Sequence, residues 1–387
     1  MFESIIRRNL LKKLEHIEYG EITISFPDGE VKKFSGTKSG YSADIDFDDW
    51  RVVAQLMNKG DVGFAEDYRD GYWQTSNLEY LLSFALQNEK IFNAYGHGKF
   101  LFKQLSKLLY LTKRNSLKGS KKNIAAHYDL GNEFYQLWLD KTMTYSAAIF
   151  DGDISLEHAQ CNKYNRLLNR ITHPHARILE VGCGWGGFAE LAGMRGHYVK
   201  GITLSNEQHD YAQKRTAHLD VDICLEDYRH QTGQYDAIVS IEMFEAVGEK
   251  YWNTYFTKLA SLIKDDGKIL LQIITIEDDL FDNYRKSADM IRTFIFPGGM
   301  LPCERELHKI IRKSNLQVDD TYRFGKDYAK TLRIWLDEFD NSRDKIKHIG
   351  FDDRFIRLWR FYLAVCSAGF ECGRINVIQL ELSKLST

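Results

Sequence analysis

Between residues 177 and 276, short apolar segments typical of buried strands alternate with longer segments of helical periodicity. Five strands are predicted here, at Arg177–Val181, Tyr198–Thr203, Val221–Leu225, Ala237–Ile241 and Lys268–Ile276. Strands that are joined through helices pair in parallel, because the helix returns the chain to the same end of the sheet. The pattern therefore predicts an α/β fold, in which helices cover both faces of a doubly wound, mostly parallel sheet.

A glycine-rich loop follows the first of these strands. It reads Glu180-Val181-Gly182-Cys183-Gly184-Trp185-Gly186-Gly187. Gly182, Gly184 and Gly186 let the backbone turn tightly and approach a ligand closely, and the next helix presents free N–H groups to an anionic group. The GxGxG spacing, with an acid directly before it, differs from the GxGxxG dinucleotide fingerprint and favours S-adenosylmethionine. A tight turn without a ligand is the alternative.

Polar residues follow the second and third strands. Thr203 and Gln208 stand where a dinucleotide enzyme carries an acidic residue for the ribose. Asp227 and Tyr228 are positioned to bind the edge of an adenine and to cover its face. We therefore expect these four residues around the ribose and adenine of S-adenosylmethionine, with Glu180 and the loop glycines at its methionine part.

Composition argues against several other classes of protein. Lys and Arg total 52 and Asp and Glu total 54, a net charge of −2, whereas nucleic-acid-binding domains are usually strongly basic. No apolar run is long enough to predict a transmembrane helix. The N-terminus lacks the apolar segment of a signal peptide, and the cysteines form no CxxC pair, so a cytoplasmic location is expected. The histidines are not spaced as metal ligands, and no metal site is predicted.

The first part of the chain has a different character. The segment Glu21–Phe26 predicts a strand, and helical spacing follows it. The segment His97–Arg114 predicts a basic amphipathic helix, with a lysine at every fourth position from Lys99 to Lys107. This helix has either an ordinary solvated face or a surface that binds anionic lipid. A domain boundary is predicted close by, between residues 1–115 and 116–387.

Seven motifs together carry a resemblance to a known family. They are HYDLGN (127–132), TYS (144–146), LEVGCGWGG (179–187), GITLSNEQ (201–208), SIEMFEAVG (240–248), FIFPGGMLP (294–302) and FYLAVCSAGF (361–370). By these motifs the chain resembles the cyclopropane-fatty-acid synthase family, which includes the mycolic acid methyltransferases. The resemblance implies a seven-stranded class I methyltransferase sheet and a smaller, mainly helical N-terminal domain associated with lipid.

The resemblance also implies a reaction. In the family, a methyl group passes from S-adenosylmethionine to the cis double bond of a phospholipid acyl chain, and the resulting carbocation loses a proton to give a cyclopropane. The expected partner is a bilayer surface at the inner face of the membrane, and a homodimer is a further expectation.

Several residues take expected roles from the resemblance alone. Tyr145 and Ser146 match residues that close over the methionine end of the cofactor, and a helical insert at about 279–302 is expected to cover the acyl channel. Cys366 matches a cysteine proposed for the active site, although a cysteine in an apolar helical run is more often a core residue.

The base in typical family members is a bound bicarbonate, which a Cys, a Glu, a His, a backbone carbonyl and a Tyr hold. Glu245 and Tyr328 match the Glu and the Tyr, and Ile274 matches the carbonyl position. The chain departs from the family at two ligands, because Ala147 replaces the cysteine and Gln272 replaces the histidine.

Glu242 is a further candidate, because the family often has a small residue at this position. We hypothesise that its carboxylate replaces bicarbonate as the base, since the nearby Glu245 would raise its pKa toward neutrality. The alternative is a supporting or solvated residue at the end of a strand.

The reaction therefore has one leading interpretation and three rivals. The leading one is cyclopropane formation on a phospholipid acyl chain. The rivals are a C-methyltransferase that gives a methyl-branched or methylene chain without a ring, a methyltransferase of soluble small molecules, and a catalytically silent lipid-binding paralogue.

Overall fold

The computed structural model describes residues 2–91, 130–287 and 289–385, with side chains from residue 7 onward. Its first elements are α1 (Phe2–Leu14), β1 (Tyr19–Ser25), β2 (Val31–Ser35), β3 (Lys38–Phe47), α2 (Arg51–Lys59), α3 (Asp61–Arg69), β4 (Trp73–Gln74) and α4 (Leu78–Gln87). The middle of the chain contributes α5 (Asn132–Gln136), α6 (Leu156–Leu168), β5 (Arg177–Val181), α7 (Gly187–Met194), β6 (Tyr198–Thr203), α8 (Asn206–Thr216), β7 (Val221–Leu225) and β8 (Tyr235–Ile241). The last elements are α9 (Trp252–Leu262), β9 (Ile263–Ile276), α10 (Asp278–Tyr284), a π-helical turn (Ile291–Ile295), α11 (Glu304–Lys313), β10 (Leu316–Arg323), α12 (Gly325–Asn341), α13 (Arg343–His348), α14 (Asp353–Glu371) and β11 (Ile375–Lys384).

The larger sheet has seven strands in the order β10-β11-β9-β8-β5-β6-β7. The strands from β9 to β7 are parallel, and β11 and β10 add antiparallel pairs at one side. The predicted doubly wound, mostly parallel sheet is confirmed, together with all five predicted strands. Two of these strands begin earlier than predicted, β8 at Tyr235 and β9 at Ile263.

The core of this sheet explains why the strands read as apolar runs. In β5, Ile178 and Leu179 point to opposite faces and both are completely buried, because helices cover both sides. On one side, Leu167 of α6 and Phe188 of α7 belong to the same buried cluster as Ile178. Burial of each such side chain contributes about 1.5–3 kcal/mol to the free energy of folding. The sheet is therefore a stable base for the loops at the ends of its strands.

A second sheet lies near the N-terminus, with four strands in the order β2-β1-β3-β4. Its β1 corresponds to the predicted strand Glu21–Phe26. Helices α1 to α4 contribute more residues to this part of the chain than strands do, as the mainly helical expectation required. Only one of these four strands was predicted from the sequence.

The chain forms two compact units, and neither is continuous in sequence. The first lies within Met1–Thr112, Asn283–Ile295 and Leu332–Arg374, and the second within Lys113–Asp282, Phe296–Thr331 and Ile375–Thr387. The division predicted from the sequence, into residues 1–115 and 116–387, cut the chain at a single point. That the first part associates with lipid and the second carries the methyltransferase stays a prediction.

Within the first unit, α14 joins the N-terminal helices. Phe361 of α14 packs its ring against those of Phe64, Tyr68 and Trp73. Trp73 is completely buried and Phe361 is nearly so. This aromatic cluster accounts for the grouping of a C-terminal helix with the N-terminal part of the chain.

Some sequence-based predictions lie outside the described residues. These are the basic amphipathic helix His97–Arg114, the boundary near residue 115 and the first three residues of the HYDLGN motif. In the part of the chain that the structure describes, no helix has the length and apolar character needed to cross a bilayer.

Candidate active site

The site lies where the strand order of the larger sheet reverses. Strands β5 and β8 are neighbours there, and their chains continue to opposite sides of the sheet. Ligands of open α/β sheets bind at the carboxyl ends of the strands at such a point. A cleft of about 960 Å³, including its open mouth, lies among the loops that follow β5, β6, β7 and β8.

Two glycines of the loop after β5 are required by local geometry. Gly182 has φ +82°, and a Cβ atom there would lie 2.7 Å from Cγ of Met243. Gly186, with φ +81°, precedes the first residue of α7, and a Cβ atom there would lie 3.0 Å from Cβ of Ala212. An L-residue at either position would be strained and crowded.

The cleft brings together nine of the ten predicted cofactor residues. They are Tyr145, Ser146, Glu180, Gly182, Gly184, Thr203, Gln208, Asp227 and Tyr228. The tenth, Gly186, does not line the cleft, and its close approach to Ala212 points to a packing role.

The environment of Glu180 shows whether these residues suit a cationic cofactor. Its carboxyl is buried, and the loss of solvation raises its pKa well above the ordinary value. Its Oε2 atom has no hydrogen-bond partner among the described residues. A buried carboxyl oxygen without a partner is costly, and the ammonium group of S-adenosylmethionine would satisfy it. The residues present therefore fit this cofactor.

The other end of the cleft carries polar groups that suit a nucleoside. Thr203 donates its hydroxyl hydrogen to Oε1 of Gln208 at 3.0 Å. Burial raises the pKa of Asp227, but hydrogen bonds from Arg229 outweigh it and the net pKa is lowered, so the carboxylate stays ionised. Burial raises the pKa of Tyr228 to about 12, so its phenol remains neutral beside the cleft.

The predicted catalytic residues Glu242, Gln272 and Tyr328 form one buried cluster. The Glu242 carboxylate accepts hydrogen bonds from the Ala147 N–H at 2.8 Å, from Nε2 of Gln272 at 2.7 Å and from the Tyr328 hydroxyl at 2.7 Å. Glu242 follows β8 with φ +50°, a left-handed conformation that costs a residue other than glycine about 1–3 kcal/mol.

The cluster has further support around Gln272. Gln379 of β11 donates from Nε2 to Oε1 of Gln272 at 3.0 Å, which fixes the orientation of the Gln272 amide. Residues 146–150 are anchored too, since Ala148 donates to Oγ1 of Thr331 and Phe150 donates to Oδ2 of Asp327.

Glu245 and Ile274, the remaining predicted ligands of the second unit, contact each other. The Ile274 N–H donates to Oε1 of Glu245, and Oε2 of Glu245 has no partner among the described residues. Burial and the charge of Glu242 raise the pKa of Glu245 to about 8.

This arrangement does not fit an added bicarbonate. A carboxylate has the same O–C–O geometry as bicarbonate, and Glu242 already accepts from Ala147, Gln272 and Tyr328. A second anion beside the Glu242 carboxylate would also meet like charge. The three donors therefore hold a carboxylate that belongs to the chain itself.

Cys366 lies in α14, which belongs to the first unit. Burial, with a smaller contribution from Asp289, raises the pKa of its thiol far above the ordinary value. Because the thiolate is the nucleophilic form, this environment disfavours nucleophilic catalysis. A catalytic role for Cys366 stays a prediction.

Lys163, which is completely buried in α6, was not predicted from the sequence. Its Nζ donates to Oγ of Ser146 and to Oε1 of Gln160, both at 2.6 Å. A signal was present in the sequence, because Lys163 lies four residues after Ala159 and four before Leu167, on the apolar face of the helix.

Comparison with known proteins agrees with this geometry. Residues 115–380 match the model of the family described as mycolic acid cyclopropane synthetase. The tuberculostearic acid methyltransferase UfaA1 of Mycobacterium tuberculosis is 34% identical over 354 residues, which cover 86% of this chain and 81% of the relative. The cyclopropane-fatty-acyl-phospholipid synthase of Escherichia coli is 33% identical over 360 residues, or 88% of each chain.

A solved structure extends the comparison to the fold. The mycolic acid cyclopropane synthase CmaA1, complexed with SAH and CTAB, superimposes with a TM-score of 0.64 and 30% identity, over 68% of this chain and 98% of the other. The chain therefore belongs to the mycolic acid cyclopropane synthetase family, and it is an S-adenosylmethionine-dependent methyltransferase.

Proposed function

We propose that the protein transfers a methyl group from S-adenosylmethionine to the cis double bond of an unsaturated phospholipid acyl chain and closes a cyclopropane ring, with Glu242 as the base. The observation that carries the base assignment is the set of three hydrogen bonds to the Glu242 carboxylate. The substrate class is supported by the phospholipid synthase of Escherichia coli, which aligns over 88% of this chain.

The cofactor, when bound, supplies an electrophilic methyl group on a sulfonium. The chain's part is to orient it, with Glu180 toward the ammonium group and Thr203, Gln208, Asp227 and Tyr228 toward the nucleoside. An alkene is a weak nucleophile, so alignment in a site that excludes water contributes much of the rate.

Glu242 has the properties of a base for the second step. Transfer of the methyl group leaves a positive charge on the neighbouring carbon of the acyl chain, and negative charge near this position stabilises it. Loss of one proton from the transferred methyl group to Glu242 then lets the remaining electron pair form the third bond of the ring. Burial raises the pKa of Glu242 despite the opposing charge of Lys163, which suits a base that works near neutral pH.

A methyl-branched or methylene product is the second candidate, because a methyltransferase of tuberculostearic acid aligns over 86% of this chain. A hydride shift before proton loss would move the positive charge to the methylated carbon. The same proton loss to Glu242 would then give a methylene branch, C=CH2, on the acyl chain. Proton loss from a chain carbon would give a methyl-branched alkene.

Labelled cofactor separates these products. The enzyme is incubated with S-adenosylmethionine carrying a CD3 group and with vesicles of a cis-unsaturated phospholipid, and the acyl chains are analysed by mass spectrometry. A ring or a methylene keeps two deuterium atoms, whereas a methyl-branched alkene keeps three. Mild hydrogenation then distinguishes the two, because a methylene takes up hydrogen and a cyclopropane survives.

The proposal expects two deuterium atoms in a product that resists hydrogenation. A product that keeps three deuterium atoms, or one that takes up hydrogen, would contradict ring closure. It would show that the enzyme is a C-methyltransferase that forms no ring. Vesicles of saturated phospholipid are the control. Absence of label from unsaturated lipid would contradict the lipid assignment and favour a small-molecule substrate or a silent paralogue.

We also propose that the enzyme works from the cytoplasm as a peripheral protein at the inner face of the membrane. A phospholipid acyl chain lies within a bilayer, and the basic sequence between residues 97 and 122 suits an anionic surface. Co-sedimentation should be stronger with anionic than with zwitterionic vesicles, and equal binding to both would contradict an electrostatic contribution. A homodimer stays a prediction.

A further inference from the structure

Lys163 is a buried lysine whose direct hydrogen-bond partners are neutral. Its side chain is completely buried, and its hydrogen bonds go to the Ser146 hydroxyl and the Gln160 side-chain carbonyl. Burying an ammonium is costly unless a negative charge balances it. These two oxygens accept hydrogen bonds from two of its three N–H groups but leave the charge of the ammonium form to be balanced by other groups.

Glu242 is the main group that balances this charge. Burial lowers the pKa of Lys163 to about 7, and among the groups that oppose this effect the Glu242 carboxylate is the strongest. In the other direction, Lys163 is the strongest influence that lowers the pKa of Glu242 against the effect of burial. Each group therefore stabilises the charged form of the other within the same buried region.

Lys163 is also linked mechanically to the donors around Glu242. Its partner Ser146 directly precedes Ala147, whose N–H donates to the Glu242 carboxylate. Gln160, its other partner, donates from Nε2 to the carbonyl oxygen of Ser146 at 2.9 Å. The side chains of α6 thus fix the peptide that orients the Ala147 N–H.

We propose that Lys163 is a positioning residue of the reaction, which holds the Ser146–Ala147 backbone against Glu242 and, in its charged form, stabilises the Glu242 carboxylate. The proposal rests on the proposed function of Glu242 as base.

Removal of this charge has a defined effect on the pH dependence of turnover. The charged or titratable groups that influence Lys163 are Glu242, Asp140, Cys161 and Glu180, and those that influence Glu242 are Lys163, Glu245 and Tyr328. Without Lys163, Glu242 would be buried beside Glu245 with no cation among these groups. Its pKa would rise, so the ionised base would form only at higher pH.

Three substitutions separate charge from hydrogen bonding. Lys163→Met removes both, Lys163→Gln keeps an N–H donor without the charge, and Lys163→Arg keeps the charge. We expect the acid limb of the pH profile of kcat to move up by about one pH unit or more in the Met and Gln variants, and to stay near the wild-type position in the Arg variant. Lys268→Met is the matched control, because this lysine of β9 pairs with Asp319 and Glu381 at the protein surface.

An acid limb that stays at the wild-type position in folded Lys163→Gln would overturn the proposal, whatever the size of kcat. Thermal unfolding and binding of S-adenosylmethionine verify that each variant is folded, and if the Met variant does not fold the Gln variant decides. A Glu242→Gln enzyme with wild-type turnover would instead overturn the proposed base. These two failures are therefore distinguishable.

Discussion

Glu242 has a backbone conformation that few glutamates adopt. Its φ of +50° is left-handed, and the cost of about 1–3 kcal/mol must be offset by other contacts. The offset comes from three donors on separate segments, namely Ala147, Gln272 and Tyr328, since each hydrogen bond to a charged group contributes about 1.5–3 kcal/mol. The strain is thus consistent with a carboxylate whose position matters.

The stability of the protein should depend on the titration of Glu245. Its pKa is about 8 in the folded protein against 4.5 for the unperturbed side chain. Its contribution to stability is therefore complete below about pH 4.5 and is lost as the pH rises toward 8. Glu245→Gln needs no proton, so its melting temperature relative to wild type should rise by several degrees between pH 5 and pH 8.

The comparison is made by thermal unfolding over that pH range. Glu157→Gln, which changes an exposed glutamate of α6, serves as the control. A difference between Glu245→Gln and wild type that stays constant with pH would show that Glu245 is not held neutral by burial.

At the residue scale, the sequence predicted the members of the site better than their contacts. Motif matches identified Glu242, Gln272 and Tyr328, because these types and their order along the chain are visible in sequence. The hydrogen bonds among them depend on the tertiary arrangement of the loop before α6, the ends of β8 and β9, and α12. The left-handed φ of Glu242 also depends on this arrangement. Lys163 was missed because most lysines are exposed.

At the scale of elements, the junction between the glycine loop and α7 is the most constrained. Gly186→Ala should lose about 2–5 kcal/mol of the free energy of unfolding, because it adds a left-handed strain of about 1–2 kcal/mol to crowding against Ala212 that costs about 1–3 kcal/mol. Gly233→Ala is the control, since Gly233 has φ +92° and nothing within 4 Å of an added Cβ. This control should lose only the free energy of unfolding that corresponds to the left-handed strain, about 1–2 kcal/mol.

Denaturant unfolding of the two variants measures the difference. Equal losses would mean that α7 shifts to accommodate the methyl group at residue 186 and that the contact with α8 is not tight.

The parallel strands were predictable and the antiparallel ones were less so. Strands β5, β6, β8 and β9 are mostly buried, and helices α7, α8 and α9 lie between β5 and β9 in the chain. Strands β10 and β11 pair with each other across α12, α13 and α14. A pairing over so long a connection leaves no local signal, and the seven-stranded expectation came from the family resemblance.

At the scale of the whole molecule, the first unit depends on residues that are far apart in sequence. Arg333 of α12 pairs with Glu79 of α4 and with Glu371 of α14. Phe361 of α14 packs on Phe64 and Trp73. No sequence pattern reports such a grouping, because periodicity identifies an apolar face but does not identify its partner.

A chain that begins at residue 116 should therefore be less stable than the full chain. It would expose the apolar face of α14 around Phe361 and leave Glu371 and Arg333 without Glu79. We expect a lower melting temperature and stronger binding of a hydrophobic dye than for the full-length protein. A fragment that unfolds at the same temperature without binding the dye would contradict this dependence.

The Glu242→Gly variant tests whether the chain provides its own base. Glycine adopts φ +50° without strain, so the substitution removes the carboxylate and leaves Ala147, Gln272 and Tyr328 to bind an added anion. Turnover of unsaturated phospholipid is measured in bicarbonate-free buffer and again with bicarbonate added, for the variant and for wild type. We predict that wild type is indifferent to bicarbonate, whereas the variant loses about 10²–10⁴-fold in rate and recovers part of it when bicarbonate is added. A variant with wild-type turnover in bicarbonate-free buffer, or a wild-type enzyme that needs bicarbonate, would contradict the account.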